Sequence, residues 1–142
     1  MAKVNGEYPE IIVKEMEEAL TSIGFKSLKT ASEVEDVLDS KKNPEDFVFV
    51  VNSVCKCAAG AARPGVKKAL ELATEFKGKR YCVFAGVDKE STEKAREFFD
   101  FPPSSPNIII FREGKPVFVM QRKDIVHKSA DEIADELKEW MW

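Results

Sequence analysis

Histidine and cysteine are scarce in this chain, which has one histidine and three cysteines among 142 residues. Three cysteines are too few and too unevenly spaced for the disulfide framework of a small secreted protein. A structural zinc site needs four ligands, and besides the close pair Cys55 and Cys57 the sequence offers only Cys82 and His127. We therefore expect no bound metal.

Long apolar runs and blocks of one charge are also missing. The 22 basic and 25 acidic residues are interspersed, with a net charge of −3, which predicts no binding to nucleic acid or to an anionic membrane. No stretch has the length of a signal peptide or a membrane span, so we expect a cytoplasmic protein. The length and the 44% hydrophobic content predict one domain over residues 1–142.

Helix and strand patterns alternate along the chain. Apolar spacing and end signals predict five helices. The first covers 9–23, the second starts at a capping box at Thr30 or Ser32, and the third runs from the cysteines to about residue 76. The fourth covers 91–99 with Ser91 or Thr92 as its cap, and the fifth covers 129–142. Apolar runs predict strands over 25–28, 47–51, 81–87, 107–111 and 116–120, the last two as a hairpin. This order predicts an α/β layered domain with a mixed sheet, whose first strands are parallel and whose hairpin is antiparallel.

The cysteine pair lies where a buried strand passes into a helix. Cys55 and Cys57 follow the apolar run 47–51 and precede a series of alanines. The first turn of a helix has unpaired N–H groups and a partial positive charge, which favour thiolate over thiol. Lys56 can add to this effect, and Arg63, about two turns along, is a weaker candidate for tuning the thiolate. The alternative for Arg63 is a surface position on the helix.

A disulfide between Cys55 and Cys57 would close a ring of about eleven atoms, smaller than the ring of a C-x-x-C motif. Such a ring is strained, so we expect a disulfide that is easily reduced and a dithiol as the resting form. Pro64, inside the following helix, predicts a kink or one irregular turn.

The remaining candidate residues have plainer interpretations. Cys82 lies in an apolar strand and is interpreted as an inert core residue, with a persulfide or resolving role as the alternative. His127 is interpreted as a surface or helix-cap residue in preference to a catalytic base. Trp140 and Trp142 are interpreted as core packing, or as a contact surface if they are exposed.

Three segments together resemble one protein family. They are N-S-V-C-K-C-A-A-G-A-A-R-P around the cysteines, K-A-R-E-F-F, and P-P-S-S-P before the hairpin. The chain resembles the bacilliredoxins, which are thioredoxin-like bacterial proteins with a C-x-C motif that are also described as disulfide-isomerase-like. It departs from their commoner C-G-C motif by carrying Lys56 between the cysteines.

The resemblance implies a thioredoxin-like three-layer α/β/α sandwich with a central mixed sheet and an extra N-terminal helix. It implies that Cys55 attacks a mixed disulfide and that Cys57 resolves the intermediate. It also implies that Pro106 is cis and faces the cysteines across a substrate groove, to which Ser105 and Lys56 belong. A cis Pro106 would leave the backbone groups of Ser105 free to pair with an extended substrate.

The resemblance further implies substrates and partners. The expected activity is a thiol–disulfide oxidoreductase that reduces mixed disulfides between protein cysteines and a bacillithiol-type low-molecular-weight thiol. That thiol is the expected co-substrate, no cofactor is expected to stay bound, and a small thiol or a reductase would recycle the pair. Two alternatives stay open, which are a protein disulfide isomerase and a non-catalytic redox sensor or binding module.

Overall fold

The computed structural model describes residues 3–4 and 8–142. Its centre is a five-stranded mixed sheet with strand order β3-β5-β4-β6-β7. The strands are β3 Lys26–Ser27, β4 Phe47–Asn52, β5 Lys79–Phe84, β6 Asn107–Arg112 and β7 Lys115–Met120. β5 runs parallel to β3 and β4, whereas β6 is antiparallel to both β4 and β7. A separate antiparallel pair joins β1 Lys3–Val4 to β2 Tyr8–Pro9.

Helices cover both faces of the sheet. They are α1 Glu10–Thr21, α2 Ala31–Leu38, α3 Arg63–Leu72, α4 Lys89–Arg96, α5 Arg122–Ile125 and α6 Ala130–Lys138. Successive residues of a strand point to opposite faces. Val48 and Val50 of β4 accordingly pack with α1, α3 and α6, and Phe47 and Phe49 pack with α2 and α4. The predicted three-layer α/β/α sandwich with a mixed central sheet is therefore confirmed. Among the described residues, no helix is both long and apolar enough to cross a bilayer.

Local signals explain most of the boundaries. Thr30 and Glu33 form the predicted capping box at the start of α2, because each side chain bonds the backbone N–H of the other residue. The hairpin turn is also as predicted, with positive φ angles of 52° at Glu113 and 79° at Gly114. These angles are those of a tight turn whose twist matches the flanking strands.

Several predicted boundaries are wrong. The helix after the cysteines ends at Leu72 instead of about residue 76, and the last helix ends at Lys138 instead of residue 142. Helix α4 begins at Lys89, so Ser91 and Thr92 lie inside it, and the Ser91 hydroxyl donates to the Asp88 carbonyl at 3.3 Å. Strand β5 ends at Phe84 instead of continuing to residue 87. Residues 85–87 form a turn instead of a strand. Val87 in this turn is buried against side chains of α1, which explains why an apolar residue occurs there. The short helix α5 was not predicted, although Gln121 and Asp124 form a capping box at its start.

Candidate active site

The cysteine pair lies in the first turn of the helical segment that follows β4. Cys55 is in a bend, and helical geometry begins at Lys56. The Cys55 carbonyl accepts hydrogen bonds from the N–H groups of Ala58 and Ala59, at 3.1 and 3.3 Å. The Cα atoms of Cys55 and Cys57 are 5.5 Å apart, and the two sulfurs are joined as a disulfide. Once the disulfide is reduced, the partial positive charge at the start of the helix favours the thiolate over the thiol at this position.

The structure describes the disulfide form of the pair, so the resting dithiol stays a prediction. Both cysteines are half-buried, and Lys56 between them is exposed. An exposed ammonium group is screened by water and salt, so its attraction for a neighbouring thiolate is weakened. The effect of Lys56 on the Cys55 thiolate therefore also stays a prediction.

An irregular turn separates the cysteines from α3. Residues Ala58–Ala62 form a π-helical turn, in which the N–H group of Arg63 donates to the Ala58 carbonyl five residues back. The predicted irregularity next to Pro64 is thus confirmed, since proline has no N–H group to continue a regular ladder. π-turns of this kind insert an extra residue and change which side chains face inward.

Arg63 is one of the side chains that face inward. It is only 8% exposed, so the alternative of a surface position is wrong. One of its terminal nitrogens, Nη1, donates to the Asn52 side-chain oxygen and to the Ser53 carbonyl, each at 2.9 Å. Ser53 also accepts a hydrogen bond on its hydroxyl from the Cys55 N–H group at 3.3 Å. A buried guanidinium group therefore holds the two residues that lead into the cysteine loop.

Asn52 connects this guanidinium group to the N-terminal helix. Its Nδ2 atom donates to the Met16 carbonyl of α1 at 3.2 Å, and its Oδ1 atom accepts from the Ser53 N–H group at 2.9 Å. Sequence analysis missed this residue. The signal was an asparagine ending an apolar strand, at the position that continues the Val48 and Val50 face of β4. A polar side chain at such a position needs a partner because it is buried.

No carboxylate that the structure describes forms an ion pair with Arg63. Burial lowers the pKa of its guanidinium group, and both acceptors that it contacts are neutral oxygens. A cation that is desolvated without an anion gains from a negative charge nearby, and a thiolate is such a charge. Tuning of the thiolate by Arg63 stays a prediction that this arrangement favours.

The loop before β6 reaches the same end of the sheet as the cysteines. Val51 of β4 pairs with Asn107 of β6 in antiparallel register. The residues just before Asn107 and those just after Val51 therefore extend beyond the same sheet edge. The Ser105–Pro106 peptide bond is cis, which is the isomer that the resemblance implies. Its part in a substrate groove stays a prediction.

The expectation that the backbone groups of Ser105 are free is wrong for its carbonyl, and for its N–H group it stays a prediction. The Ser105 carbonyl is not free, because it accepts a hydrogen bond from the Arg122 guanidinium group at 3.1 Å. The neighbouring Ser104 carbonyl accepts from Arg96 at 3.4 Å. Arg122 is the first residue of α5, the helix that the sequence did not predict, so this contact could not have been foreseen. A substrate N–H group that bound the Ser105 carbonyl would share this oxygen with Arg122 or displace Arg122, because a carbonyl oxygen has two lone pairs.

The remaining candidates lie in ordinary surroundings. Cys82 is 2% exposed in the centre of β5, where burial raises the pKa of its thiol to about 12. This supports the interpretation of an inert core residue. His127 is exposed, as its surface interpretation requires. Trp140 packs against the core, whereas Trp142 is 64% exposed. No group of three or more potential metal ligands occurs in the part of the chain that the structure describes.

Comparisons with known proteins place this site in a family. The family model described as disulphide isomerase matches residues 8–141. A bacilliredoxin of Salinibacter ruber is 46% identical over 133 residues, which cover 93% of this chain and 78% of that protein. A bacilliredoxin of Cytophaga hutchinsonii is 46% identical over 132 residues, covering 92% and 95% respectively. This chain belongs to the bacilliredoxin family.

More distant structures agree on the fold of this bacilliredoxin-family chain. Mitochondrial thioredoxin 3 from Saccharomyces cerevisiae aligns with a TM-score of 0.53 at 15% identity, covering 87% of this chain and 96% of the thioredoxin. Fasciola hepatica thioredoxin aligns with a TM-score of 0.51 at 16% identity, covering 83% and 100%. The fold is thioredoxin-like. With the family and the Cys55–Cys57 pair, the chain is in general terms a thiol–disulfide oxidoreductase.

Proposed function

We propose that this protein reduces mixed disulfides between protein cysteines and a bacillithiol-type low-molecular-weight thiol. The observation that carries this proposal is a pair of sulfurs close enough to bond, within the first turn of a helix. The name bacilliredoxin, which the relatives at 37–46% identity carry, supports the same substrate class. We place the activity in the cytoplasm, where a reducing environment returns the pair to its dithiol form.

The reaction proceeds in two exchanges. The Cys55 thiolate attacks the sulfur of the small thiol, the mixed disulfide breaks, and the substrate protein leaves as a thiolate that takes up a proton. The small thiol is then held on Cys55 as a new mixed disulfide. The Cys57 thiolate attacks the Cys55 sulfur, expels the small thiol and forms the Cys55–Cys57 disulfide. Two electrons have passed from the pair to the substrate, and an external thiol or a reductase returns them.

The surrounding residues have supporting roles in this scheme. Arg63 favours the thiolate through its buried charge, and Lys56 adds a weaker, screened attraction. Ser105 and Pro106 form the opposite wall of the substrate groove. No cofactor stays bound, because the dithiol itself supplies both electrons.

Single cysteine variants test this proposal with a peptide that carries a small-thiol adduct. We expect Cys55→Ser to lose turnover by a factor on the order of 100 or more, because no nucleophile remains. We expect Cys57→Ser to accumulate one small-thiol adduct per chain, visible by mass spectrometry. Cys82→Ala serves as the matched control and should keep the activity. Equal turnover in the Cys55 and Cys57 variants contradicts the assignment of roles.

A second candidate is a protein disulfide isomerase, which the description of the matching family favours. An isomerase needs only the first nucleophile, because the substrate itself resolves the intermediate. Refolding of a scrambled disulfide protein distinguishes the two activities. If Cys57→Ser keeps the wild-type rate of refolding and wild-type protein clears adducts slowly, isomerisation is the main activity. If neither substrate is turned over, the pair acts as a redox sensor.

A further inference from the structure

Exposed cations lie on both sides of the proposed substrate groove. Arg122, at the start of α5, is exposed and donates from its Nη1 atom to the Ser105 carbonyl at 3.1 Å. Guanidinium has five N–H donors, so this bond leaves most of them for other partners. Lys123 beside it is exposed as well, and Lys56 is exposed between the two cysteines on the other side.

These three cations have no carboxylate partner among the described residues. None of them takes part in an ion pair that the structure describes. The acidic residue of α5, Asp124, accepts a hydrogen bond from the Gln121 N–H group at 2.9 Å and so caps its own helix. The chain as a whole carries a net charge of −3. An overall acidic protein thus presents exposed positive charge beside its cysteine pair.

The spacing between the strands fixes how far these cations are from the cysteines. β6 lies between β4 and β7, and Ile108 at the start of β6 pairs with Met120 at the end of β7. Two strand spacings place β4 and β7 about 10 Å apart. Cys55 follows the end of β4 by three residues, and Arg122 follows the end of β7 by two. Both residues therefore extend from the same sheet end, on either side of the cis-proline loop.

An extended substrate strand matches this spacing. Two residues of such a strand cover about 6.6 Å, and side chains two residues apart point to the same face. When a substrate cysteine lies at Cys55, an acidic side chain two residues away therefore points toward the protein. The long side chains of glutamate and Arg122 cover the remaining distance.

We propose that Arg122, together with Lys56, selects substrate proteins that carry an acidic side chain two residues from the modified cysteine. A carboxylate accepts two N–H bonds from one guanidinium group, which would hold the substrate strand beside Ser105. Opposite charge also speeds the encounter with an acidic protein surface. This inference rests on the proposed function, and it names the kind of protein on which that function acts.

Matched peptides test this selectivity. Two peptides differ only in glutamate or glutamine two residues before the cysteine, and a second pair has the same difference two residues after it. Every cysteine carries the same bacillithiol adduct, so the small thiol cancels in each comparison. We expect reduced wild-type protein to remove the adduct about twofold to fivefold faster from the glutamate peptide of at least one pair, the range of an exposed ion pair. Raising the salt concentration should reduce this preference.

Variants of Arg122 separate its charge from its bond to Ser105. Arg122→Gln should remove the preference for glutamate, and Arg122→Lys should keep it. Arg122→Glu should reverse it in favour of a lysine peptide of the same sequence. Lys115 provides the control, because it is exposed at the start of β7, at the other end of this strand. Lys115→Gln removes the same charge and should keep the wild-type preference.

The possible outcomes distinguish the selectivity from the proposed function. If Arg122→Gln slows both peptides of a pair equally, Arg122 only holds the Ser105 carbonyl, and the selectivity is overturned. Equal rates for glutamate and glutamine in both pairs with wild-type protein overturn it as well. If wild-type protein removes bacillithiol from none of the peptides, the proposed function fails instead.

Discussion

The Asn52 side chain makes three hydrogen bonds beside the cysteine loop. It is 1% exposed, and its side chain bonds α1, the Ser53 backbone and Arg63 at once. Because a buried polar group costs free energy unless it is paired, each of these three partners depends on Asn52. The residue thus positions the loop without touching the reacting sulfurs.

Replacing Asn52 with alanine should therefore affect both stability and activity. We expect Asn52→Ala to lower the free energy of unfolding by about 2–4 kcal/mol, because it leaves the Arg63 cation buried with one acceptor fewer. We also expect kcat/KM for a mixed disulfide to fall about tenfold, since the loop that presents Cys55 loses its anchor. Urea denaturation and single-turnover kinetics measure the two effects.

Asn43 provides a matched control for this variant. It is 8% exposed, and its side chain donates to the Val37 carbonyl and accepts from the Glu45 N–H group. It lies before β4, at the sheet end away from the cysteines. Asn43→Ala should lower stability and leave turnover unchanged. If both variants retain full turnover, Asn52 is structural only.

At the scale of elements, the helix after the cysteines is fixed against α6 by a glycine. A Cβ atom on Gly65 would lie 2.6 Å from Cγ2 and 2.8 Å from Cβ of Ile133, closer than side-chain atoms approach. The absence of a side chain at Gly65 therefore allows α3 and α6 to pack tightly.

Two glycine variants in this helical segment should differ in sign. We expect Gly65→Ala to lower the free energy of unfolding by about 1–3 kcal/mol, because the new methyl group overpacks the contact with Ile133. A Cβ atom on Gly60 would meet no heavy atom within 4 Å. Gly60→Ala should therefore be neutral or stabilising by up to about 1 kcal/mol. Urea denaturation of both variants checks this, and equal destabilisation contradicts the packing argument.

Elements with a local cause could be predicted from the sequence. The capping box at Thr30 and the turn at Gly114 each depend on a few neighbouring residues, and both are confirmed. Elements that depend on distant contacts could not. Val87 continues the apolar run of β5, but it lies in a turn that is covered by α1. An apolar residue that is buried in a covered turn gives the same sequence pattern as one in a strand.

The same division applies to the candidate site. The cysteine pair is predicted by its own short motif, and the cis Ser105–Pro106 bond by the family resemblance. The bond between Asn52 and Arg63 is not predicted, because it joins residues eleven positions apart across a π-helical turn. The contact from Arg122 to Ser105 joins residues seventeen positions apart, across the whole hairpin. Such pairs depend on the packing of several elements, which local sequence patterns do not encode.

At the scale of the whole molecule, the sheet divides the core into two apolar layers. Cys82 lies in the layer formed with α1, α3 and α6. Its backbone is paired on both sides, with Ser27 of β3 and Val50 of β4. Its thiol can therefore meet water only when the sheet or the helices that cover this face open. Ionisation of Cys82 thus reports on the opening of this layer.

Ionisation of Cys82 should make stability fall at alkaline pH. Burial raises the pKa of its thiol from 9.0 to about 12. The folded state thus holds a proton that the unfolded state releases above pH 9, so stability is fully present below that pH and declines between about pH 9 and 12. At about 1.4 kcal/mol per pH unit, the loss from this group reaches about 2 kcal/mol at roughly pH 10.5.

A comparison with and without this thiol isolates its contribution. The background is Cys55→Ser with Cys57→Ser, so that no thiol can exchange with a disulfide. The free energy of unfolding is measured by urea denaturation from pH 7 to 10.5, with and without Cys82→Ala. The same lysines and tyrosines titrate in both proteins, so the difference between the curves belongs to Cys82. We expect Cys82→Ala to be less stable at pH 7, because it leaves a small cavity, and to lose less stability as the pH rises. Parallel curves would show that the thiol ionises equally in both states, and that Cys82 is not sealed within the sheet.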